Sequence, residues 1–279
     1  MWGRVIITDN LSVLRDIPSE SIDLIYIDPP FNTGKRQKRT TIVAQRDDDG
    51  GRVGFGGNRY RTQIISTLSF SDIFHDYFEF LRPRLEEAYR VLAPHGSLYF
   101  HINYRWGHYC KILLDCIFGE RCFMNEIIWA YDYGGRSKRR WAAKHDSIFF
   151  YVKDPEKYYF DYEAVERIPY MAPGLVSPEK ARRGKLPTDV WWHTIVPTNS
   201  KEKTGYPTQK PLGILRRIIA ASSKKGDTVL DFFAGSGTTG VAAWEAERNF
   251  ILIDSSYDAL RVMKSRFENI PDLEFEVRG

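Results

Sequence analysis

Two short segments of this 279-residue chain bring together residue types suited to chemistry. The first is Asp28-Pro29-Pro30-Phe31, a carboxylate, two prolines and an aromatic ring. The apolar run Ile22 to Ile27, with Asp23 inside it, reads as a strand. Two consecutive prolines lack the N–H donors a central strand needs, so a stiff loop begins at Asp28. Taken alone, such a segment is also what a proline-rich turn looks like. The second segment runs from Asp231 to Gly240, with Phe232, Ala234, Ser236 and Thr238 among the glycines Gly235, Gly237 and Gly240 in GxGxxG spacing. Glycines so placed let the backbone turn tightly and approach a ligand closely. Asp231 ends the strand before the loop. Asp254 ends the next strand, nineteen positions after Gly235, where a carboxylate can accept hydrogen bonds from ribose hydroxyls. A nucleoside is the expected ligand, and a dinucleotide such as NAD uses the same fingerprint.

The elements that must position these residues alternate. Apolar spacing predicts a helix over Asp72 to Leu92, with Pro83 kinking it or starting a second helix. A strand over Ser97 to Ile102 and a helix over Trp106 to Phe118 follow. Glu126 to Trp129 and Ile148 to Val152 read as strands. Pro211 to Ser222 is an amphipathic helix, Thr228 to Leu230 a strand, and a helix runs through Trp244 to a strand over Phe250 to Ile253. This alternation predicts an α/β, doubly wound, mostly parallel Rossmann-like sheet. Only 25 residues follow Asp254, so most of the sheet must come from earlier sequence. The nucleotide loop therefore follows the DPPF loop, an order that does not fit a dehydrogenase with an N-terminal nucleotide domain.

Three motifs in this order, DPPF at Asp28, YPTQKP at Tyr206 to Pro211 and DFFAGSGTTG at Asp231 to Gly240, resemble the circularly permuted beta group of DNA amino-methyltransferases. The resemblance covers most of the chain, with residues 35 to 70 and 134 to 205 outside the common core. It implies an S-adenosylmethionine-dependent methyltransferase fold, residues 1–133 forming the catalytic half, 134–205 a target-recognition region and 206–279 the cofactor half. It further implies catalytic roles for Asp28, Pro29, Pro30 and Phe31, and cofactor contacts from Asp231, Phe232, Ala234, Gly235, Ser236, Gly237, Thr238 and Asp254. Thr208, Gln209 and Lys210 are placed beside the cofactor at the start of the next helix, where free N–H groups can meet a carboxylate. Thr208 could equally serve as a helix cap.

The chemistry accounts for the residue types. The lone pair of an exocyclic amino group is delocalised into the base, so the enzyme must draw that nitrogen towards tetrahedral geometry. The Asp28 carboxylate supplies an acceptor for one N–H and the Pro29 carbonyl an acceptor for the other, while Phe31 stacks on a base extruded from the duplex. No metal is required. Ring-carbon methylation of cytosine uses a cysteine presented by a Pro-Cys pair, and the chain has none. Asp at the first motif position resembles adenine-N6 enzymes; Phe at the last keeps cytosine-N4 as the alternative. An NAD-dependent oxidoreductase and an inactive DNA-binding relative are the more remote readings.

The net charge of +4 conceals clustering. Residues 35 to 61 carry +5, residues 134 to 145 another +5, and Lys180 to Lys185 +4, leaving −10 for the rest. Basic, glycine-containing segments suit a phosphate backbone, although solvated loops can cluster charge too. Lys35, Arg36, Arg136, Lys138, Arg139, Arg140 and Lys144 are the candidate contacts to double-stranded DNA, with Tyr131, Tyr133 and Trp141 available to stack. Trp191, Trp192 and His193 are assigned to packing. Residues 35 to 70, rich in glycine and without sustained periodicity, are expected to be a mobile insertion. Cys110, Cys116 and Cys122 form no CxxC pair and suggest plain thiols. No apolar run reaches membrane length and the start turns polar early, which predicts a cytoplasmic protein. A cognate restriction endonuclease and a homodimer are the partners the resemblance adds.

Overall fold

The computed structural model describes all residues except 48, 50, 54–58 and 279, and leaves aside the side chains of 35–44, 52, 60 and 64–71. The chain opens with β1 (Gly3–Ile7) and α1 (Asn10–Asp16), which the Asp9 carboxylate caps by accepting from the Leu11 amide at 3.0 Å. β2 (Ile22–Ile27) is apolar on both faces because it lies inside a parallel sheet, and all of its residues except Asp23 are buried.

Residues 35–72 form a separate three-stranded antiparallel sheet of β3 (Lys35–Arg46), β4 (Arg52–Val53) and β5 (Arg59–Asp72), in the order β3-β5-β4. The sequence shows no sustained periodicity here, yet β3, β4 and β5 pair along most of their length. The ladder pairs only with itself and adds no strand to the central sheet. The backbones of Lys35 and Arg36 pair with Asp72 and Ser71 at the base of this hairpin. Their side chains lie outside the described residues, so neither candidate DNA contact is placed.

α2 (Tyr77–Val91) starts five residues later than its apolar pattern suggests, because Asp76 caps it by accepting from Phe78 and Glu79 at 2.9 Å. Pro83 lies inside this single helix, so the alternative of a second helix starting there is corrected. The proline removes only the donor for the exposed Glu79 carbonyl, while the buried face of Leu81, Leu85 and Ala88 holds the helix together. There follow β6 (Leu92–Asn103), α3 (Gly107–Phe118), β7 (Phe123–Ala130), β8 (His145–Val152), α4 (Pro178–Arg183) and β9 (Val190–Trp192). The chain ends through α5 (Leu212–Ser222), β10 (Thr228–Asp231), α6 (Thr238–Glu245), β11 (Asn249–Asp254), α7 (Tyr257–Arg266) and β12 (Leu273–Val277).

The central sheet has nine strands in the order β12-β1-β11-β10-β2-β6-β8-β7-β9. The strands from β12 to β6 are parallel, and β8 runs antiparallel between β6 and β7. β8 and β9 fall inside residues 134–205, so that stretch is not one continuous insertion: it contributes two strands to the sheet and sends loops out between them. Trp191 is buried and donates its indole N–H to the Thr188 carbonyl at 2.7 Å, whereas Trp192 is exposed, so the packing assignment fits only the first of the pair.

One topological feature places the site. From β10 the chain winds through α6 to β11 on one side, while β2 continues to β6 on the other. The winding reverses between the adjacent parallel strands β10 and β2, which pair Val229 with Leu24 and Leu230 with Ile25. In open parallel sheets a crevice forms beyond the carboxyl ends of the strands at such a reversal. Asp28 follows β2 and Asp231 ends β10, so residues two hundred positions apart meet at one crevice.

Candidate active site

The crevice is a cleft of about 350 Å³. Asp28, Pro29, Pro30 and Phe31 line it together with Asp231, Phe232, Ala234, Gly235, Ser236, Thr238, Asp254, Thr208, Gln209 and Lys210. Of the residues singled out for these two roles, only Gly237 stands apart. It takes φ +73°, and a Cβ there would meet Met263 and Phe267 at 2.9 Å, so its role is the left-handed turn into α6 and close packing behind the loop.

On the nucleoside side, the Asp254 carboxylate accepts from the Gly235 amide and from the Ser256 amide, each at 2.8 Å. Burial raises its pKa, opposed by these amides. Asp231 lies deeper, accepting from the Phe233 amide at 3.0 Å and the Thr239 hydroxyl at 2.5 Å. Burial pushes its carboxyl up to about 7, against those two donors. The consequence for stability has a definite sign. An unfolded aspartate loses its proton near pH ~3.9, whereas folded Asp231 holds it to about 7. Its contribution is therefore fully present below the unfolded value and is lost as pH rises from about 4 to 7, at roughly 1.4 kcal/mol per unit at most. Comparing denaturant midpoints of the wild type and Asp231→Asn across this range should show the wild type losing stability relative to the variant as pH rises. A constant difference would place that carboxylate in an ordinary environment.

The Tyr206 to Pro211 segment is arranged differently from its sequence reading. Helix α5 begins only at Leu212, whose amide donates to Glu202 at 2.7 Å, so Glu202 rather than Thr208 supplies the side-chain acceptor at this helix start. Thr208 has φ +57° and donates to the neighbouring Pro207 carbonyl at 2.7 Å. The Gln209 amide is spent on the loop: its oxygen accepts from Thr204 at 2.9 Å and its nitrogen donates to the Glu202 carbonyl at 2.7 Å. Lys210 reaches across the cleft and forms an ion pair with Asp28 Oδ2, its ammonium 5.3 Å from the Phe31 ring centre.

Several residues that shape the DPPF loop carry no motif. The Tyr77 hydroxyl donates to the Pro30 carbonyl at 2.5 Å. Buried Asp72 accepts from the amides of Asn32 at 2.6 Å and Thr33 at 3.1 Å, tying the base of the hairpin to the chain just after Phe31. Asn10 donates to the Phe232 carbonyl and accepts from Arg84 Nε, both at 2.6 Å, linking the amino-terminal turn to the glycine loop. Asp9, Asn10, Arg84, Phe74, Phe80 and Phe233 also line the cleft. The buried cation Arg84 was the one available signal among them, since such a side chain inside an apolar helix face needs a partner.

The basic loop between β7 and β8 lies at the same sheet edge as Asp28, since β8 begins where β6 ends: Asn103 pairs with Asp146. Arg136, Lys138, Arg139 and Arg140 are exposed, and Trp141 is 99% exposed. Lys144 is instead committed to the Tyr133 and Gly134 carbonyls, bracing the loop. Cys110 and Cys122 are buried and Cys116 is exposed. Among the described residues, no helix is long and apolar enough to cross a membrane.

The profile of the N6/N4 family described as DNA methylase matches residues 22–265. The chain is a DNA methylase of this family. Its cofactor is S-adenosylmethionine, and it transfers a methyl group to an exocyclic amino nitrogen of DNA, which sets aside the dinucleotide reading of the glycine loop. The methyltransferase is 32% identical over 269 residues to the type II methyltransferase M.HpaI of Haemophilus parainfluenzae, covering 96% of this chain and 75% of that one. It is also 32% identical over 268 residues to the DNA adenine methyltransferase YhdJ of Escherichia coli K12, covering 93% and 81%. The PvuII cytosine-N4-specific DNA methyltransferase superposes with a TM-score of 0.66 at 17% identity, covering 98% of this chain and 89% of that one. The M1.HpyAVI complex with S-adenosylmethionine gives 0.60 at 21%, covering 95% and 98%. These two likenesses establish the fold, α/β with a mostly parallel sheet.

The cleft suits that cofactor on its own chemistry. It falls within the roughly 300–1,000 Å³ typical of small-molecule sites, offers a half-buried carboxylate at the end of β11 for ribose hydroxyls, and has an aromatic wall of Phe74, Phe80 and Phe233.

Proposed function

We propose that this methyltransferase modifies the N6 amino group of adenine in double-stranded DNA, within a specific sequence and on a base extruded from the duplex. The observation that carries the proposal is that Asp28 and the candidate cofactor residues share one cleft. Asp28 at the head of the DPPF motif and the likeness to a DNA adenine methyltransferase support adenine over cytosine. Asp254 would hold the ribose, with Gly235, Ser236 and Thr238 beside it; when bound, S-adenosylmethionine supplies an electrophilic methyl group.

The remaining work belongs to this chain. Asp28 accepts one amino N–H. The Pro30 carbonyl already accepts from Tyr77, so the second acceptor is assigned to the Pro29 carbonyl. Phe31 stacks on the base, recovering about a third or more of an extrusion cost of a few kcal/mol, since base stacking on an aromatic ring is worth ~1–3 kcal/mol. Lys210 fixes the Asp28 carboxylate through one oxygen, and the aromatic wall excludes water from the aligned groups.

Arg136, Lys138, Arg139 and Arg140 contact phosphates and base edges, and Trp141 stacks into the opened duplex. The likeness to a type II enzyme supports a cognate restriction endonuclease as partner. A homodimer and a cytoplasmic location complete the proposal. Incubating the enzyme with isotopically labelled cofactor and mixed-sequence DNA, then separating the nucleosides, should yield labelled N6-methyldeoxyadenosine. Labelled N4-methyldeoxycytidine instead would reverse the choice of base. Arg139→Ala and Arg140→Ala should each reduce the slope of log affinity against log salt concentration by roughly 1 where a phosphate contact is lost. Unchanged slopes in both would move the DNA path away from this loop.

A further inference from the structure

A fully buried imidazole lies behind Asp28, and the roles assigned so far do not use it. His101, on β6, is 0% exposed. Its Nδ1 is 2.9 Å from the Tyr26 hydroxyl and 3.4 Å from Asp28 Oδ1. Its Nε2 is 3.4 Å from Asp146 Oδ2, on β8. The edges of Phe31 and Trp129 enclose the ring, with centroids 5.6 and 5.4 Å away. Asp28 Oδ1 and His101 Nε2 are both buried atoms without a hydrogen-bond partner among the described residues. Buried polar atoms are rarely left so, and where they are a functional reason is worth seeking. Here the two orphans lie along one line, carboxylate to imidazole to carboxylate, at its Asp28 end and at its centre.

We propose that His101 is a positioning residue that acts through Asp28, drawing off the proton that methyl transfer releases and passing it towards Asp146. The inference rests on the reading of Asp28 as the group that meets the amino nitrogen. When the N–C bond forms, the nitrogen becomes a cation carrying one proton more than the product. That N–H bond breaks with its electron pair staying on nitrogen, and the Asp28 carboxylate takes the proton. Lys210 cannot take it, because an ammonium has no acceptor site. Its bond to Oδ2 leaves Oδ1 facing His101.

In the resting state the Tyr26 phenol donates to Nδ1, and the imidazole carries its proton on Nε2, towards Asp146. Burial first, then the charge of Asp28, raises the Tyr26 pKa well above its ordinary value, so this phenol stays neutral. When Tyr26 turns its proton away, Nδ1 accepts the proton from Asp28, and the imidazolium formed is flanked by two carboxylates. The groups facing the ring are Tyr26 and Asp28 after β2, Asp146 on β8 and, beyond Asp146, Tyr131 at the end of β7. Tyr131 is bonded to Asp146, and burial followed by the charge of Asp146 raises its pKa. Asp146 thus connects the imidazole to Tyr131, where the loop between β7 and β8 begins.

The test is single-turnover methyl transfer across pH, with separate equilibrium binding of cofactor and DNA. His101→Asn keeps a polar partner for Tyr26 but cannot be protonated. It should lower the transfer rate by ~10²-fold, in the range of a lost proton acceptor, with both binding constants within about threefold of wild type. The low-pH limb of the wild-type rate profile should disappear. Asp146→Asn, at the far end of the line from Asp28, should show the same loss of the limb with a smaller rate reduction, and it serves if the His101 variant does not fold. A rate within threefold of wild type, or a reduced rate with the pH profile unchanged, in the folded variants would reduce His101 to a packing role. Activity in Asp28→Ala would instead overturn the reading of Asp28 on which the inference depends.

Discussion

Asp28→Ala is expected to lower the methyl-transfer rate at least ~10³-fold while leaving cofactor affinity within a few-fold of wild type. The magnitude follows from what the carboxylate does. Removing one preorganised group that stabilises developing charge typically costs ~10²–10³ in rate, and here the same group also receives the displaced proton. Cofactor binding survives because Asp254 and the glycine loop lie on β10 and β11, held by Asn10 and Arg84 rather than by Asp28. The substitution strips Lys210 of its carboxylate, so Asp28→Asn is the useful companion. It keeps a neutral acceptor for the amino N–H and for Lys210, and should retain more activity than alanine, since charge-assisted hydrogen bonds are about twice as strong as neutral ones. Single-turnover kinetics with calorimetric cofactor titration separates the two effects. An alanine variant with near wild-type rate would remove Asp28 from the reaction.

The complementary result is expected at Asp254. Asp254→Ala should weaken S-adenosylmethionine binding by ~10²-fold or more, because hydrogen bonds to a charged group contribute about 1.5–3 kcal/mol each. The variant also releases the amides of Gly235 and Ser256, so the glycine loop loses its anchor together with the ligand's partner. At saturating cofactor and DNA, the transfer rate should recover to within tenfold of wild type, since the DPPF loop is held independently by Asp72 and Tyr77. Affinity unchanged in Asp254→Ala would place the cofactor elsewhere in the cleft. The two substitutions divide the site along the line where β2 meets β10.

The contrast between motif and setting explains what could be read from sequence. Strands β2, β8, β10 and β11 were legible because central strands buried on both faces are short apolar runs closed by turn residues. The permuted order was legible because the glycine loop comes so late in the chain. The hairpin of β3 and β5 was not, since these strands join no other sheet and their sequence carries no sustained alternation. Nor were Asp72, Tyr77 and Asn10, whose partners lie 39 or more positions away and are brought to them only by the fold. YPTQKP was recognisable as a motif, yet its local geometry was misjudged. The helix begins at Leu212 and takes its cap from Glu202, ten residues back, leaving Lys210 free to cross to Asp28. His101 gave no signal at all, because a histidine in the strand Leu-Tyr-Phe-His-Ile reads as core until the two carboxylates beside it are seen.

The measurement that bears most directly on the central claim is a methylation map. The enzyme is expressed in a host lacking DNA methylation, and modified positions are read by long-read sequencing. The account predicts N6-methyladenine at nearly every occurrence of one short sequence, with none in cells carrying Asp28→Ala. Unmodified DNA from cells producing folded wild-type protein, or an unchanged pattern with the alanine variant, would contradict it.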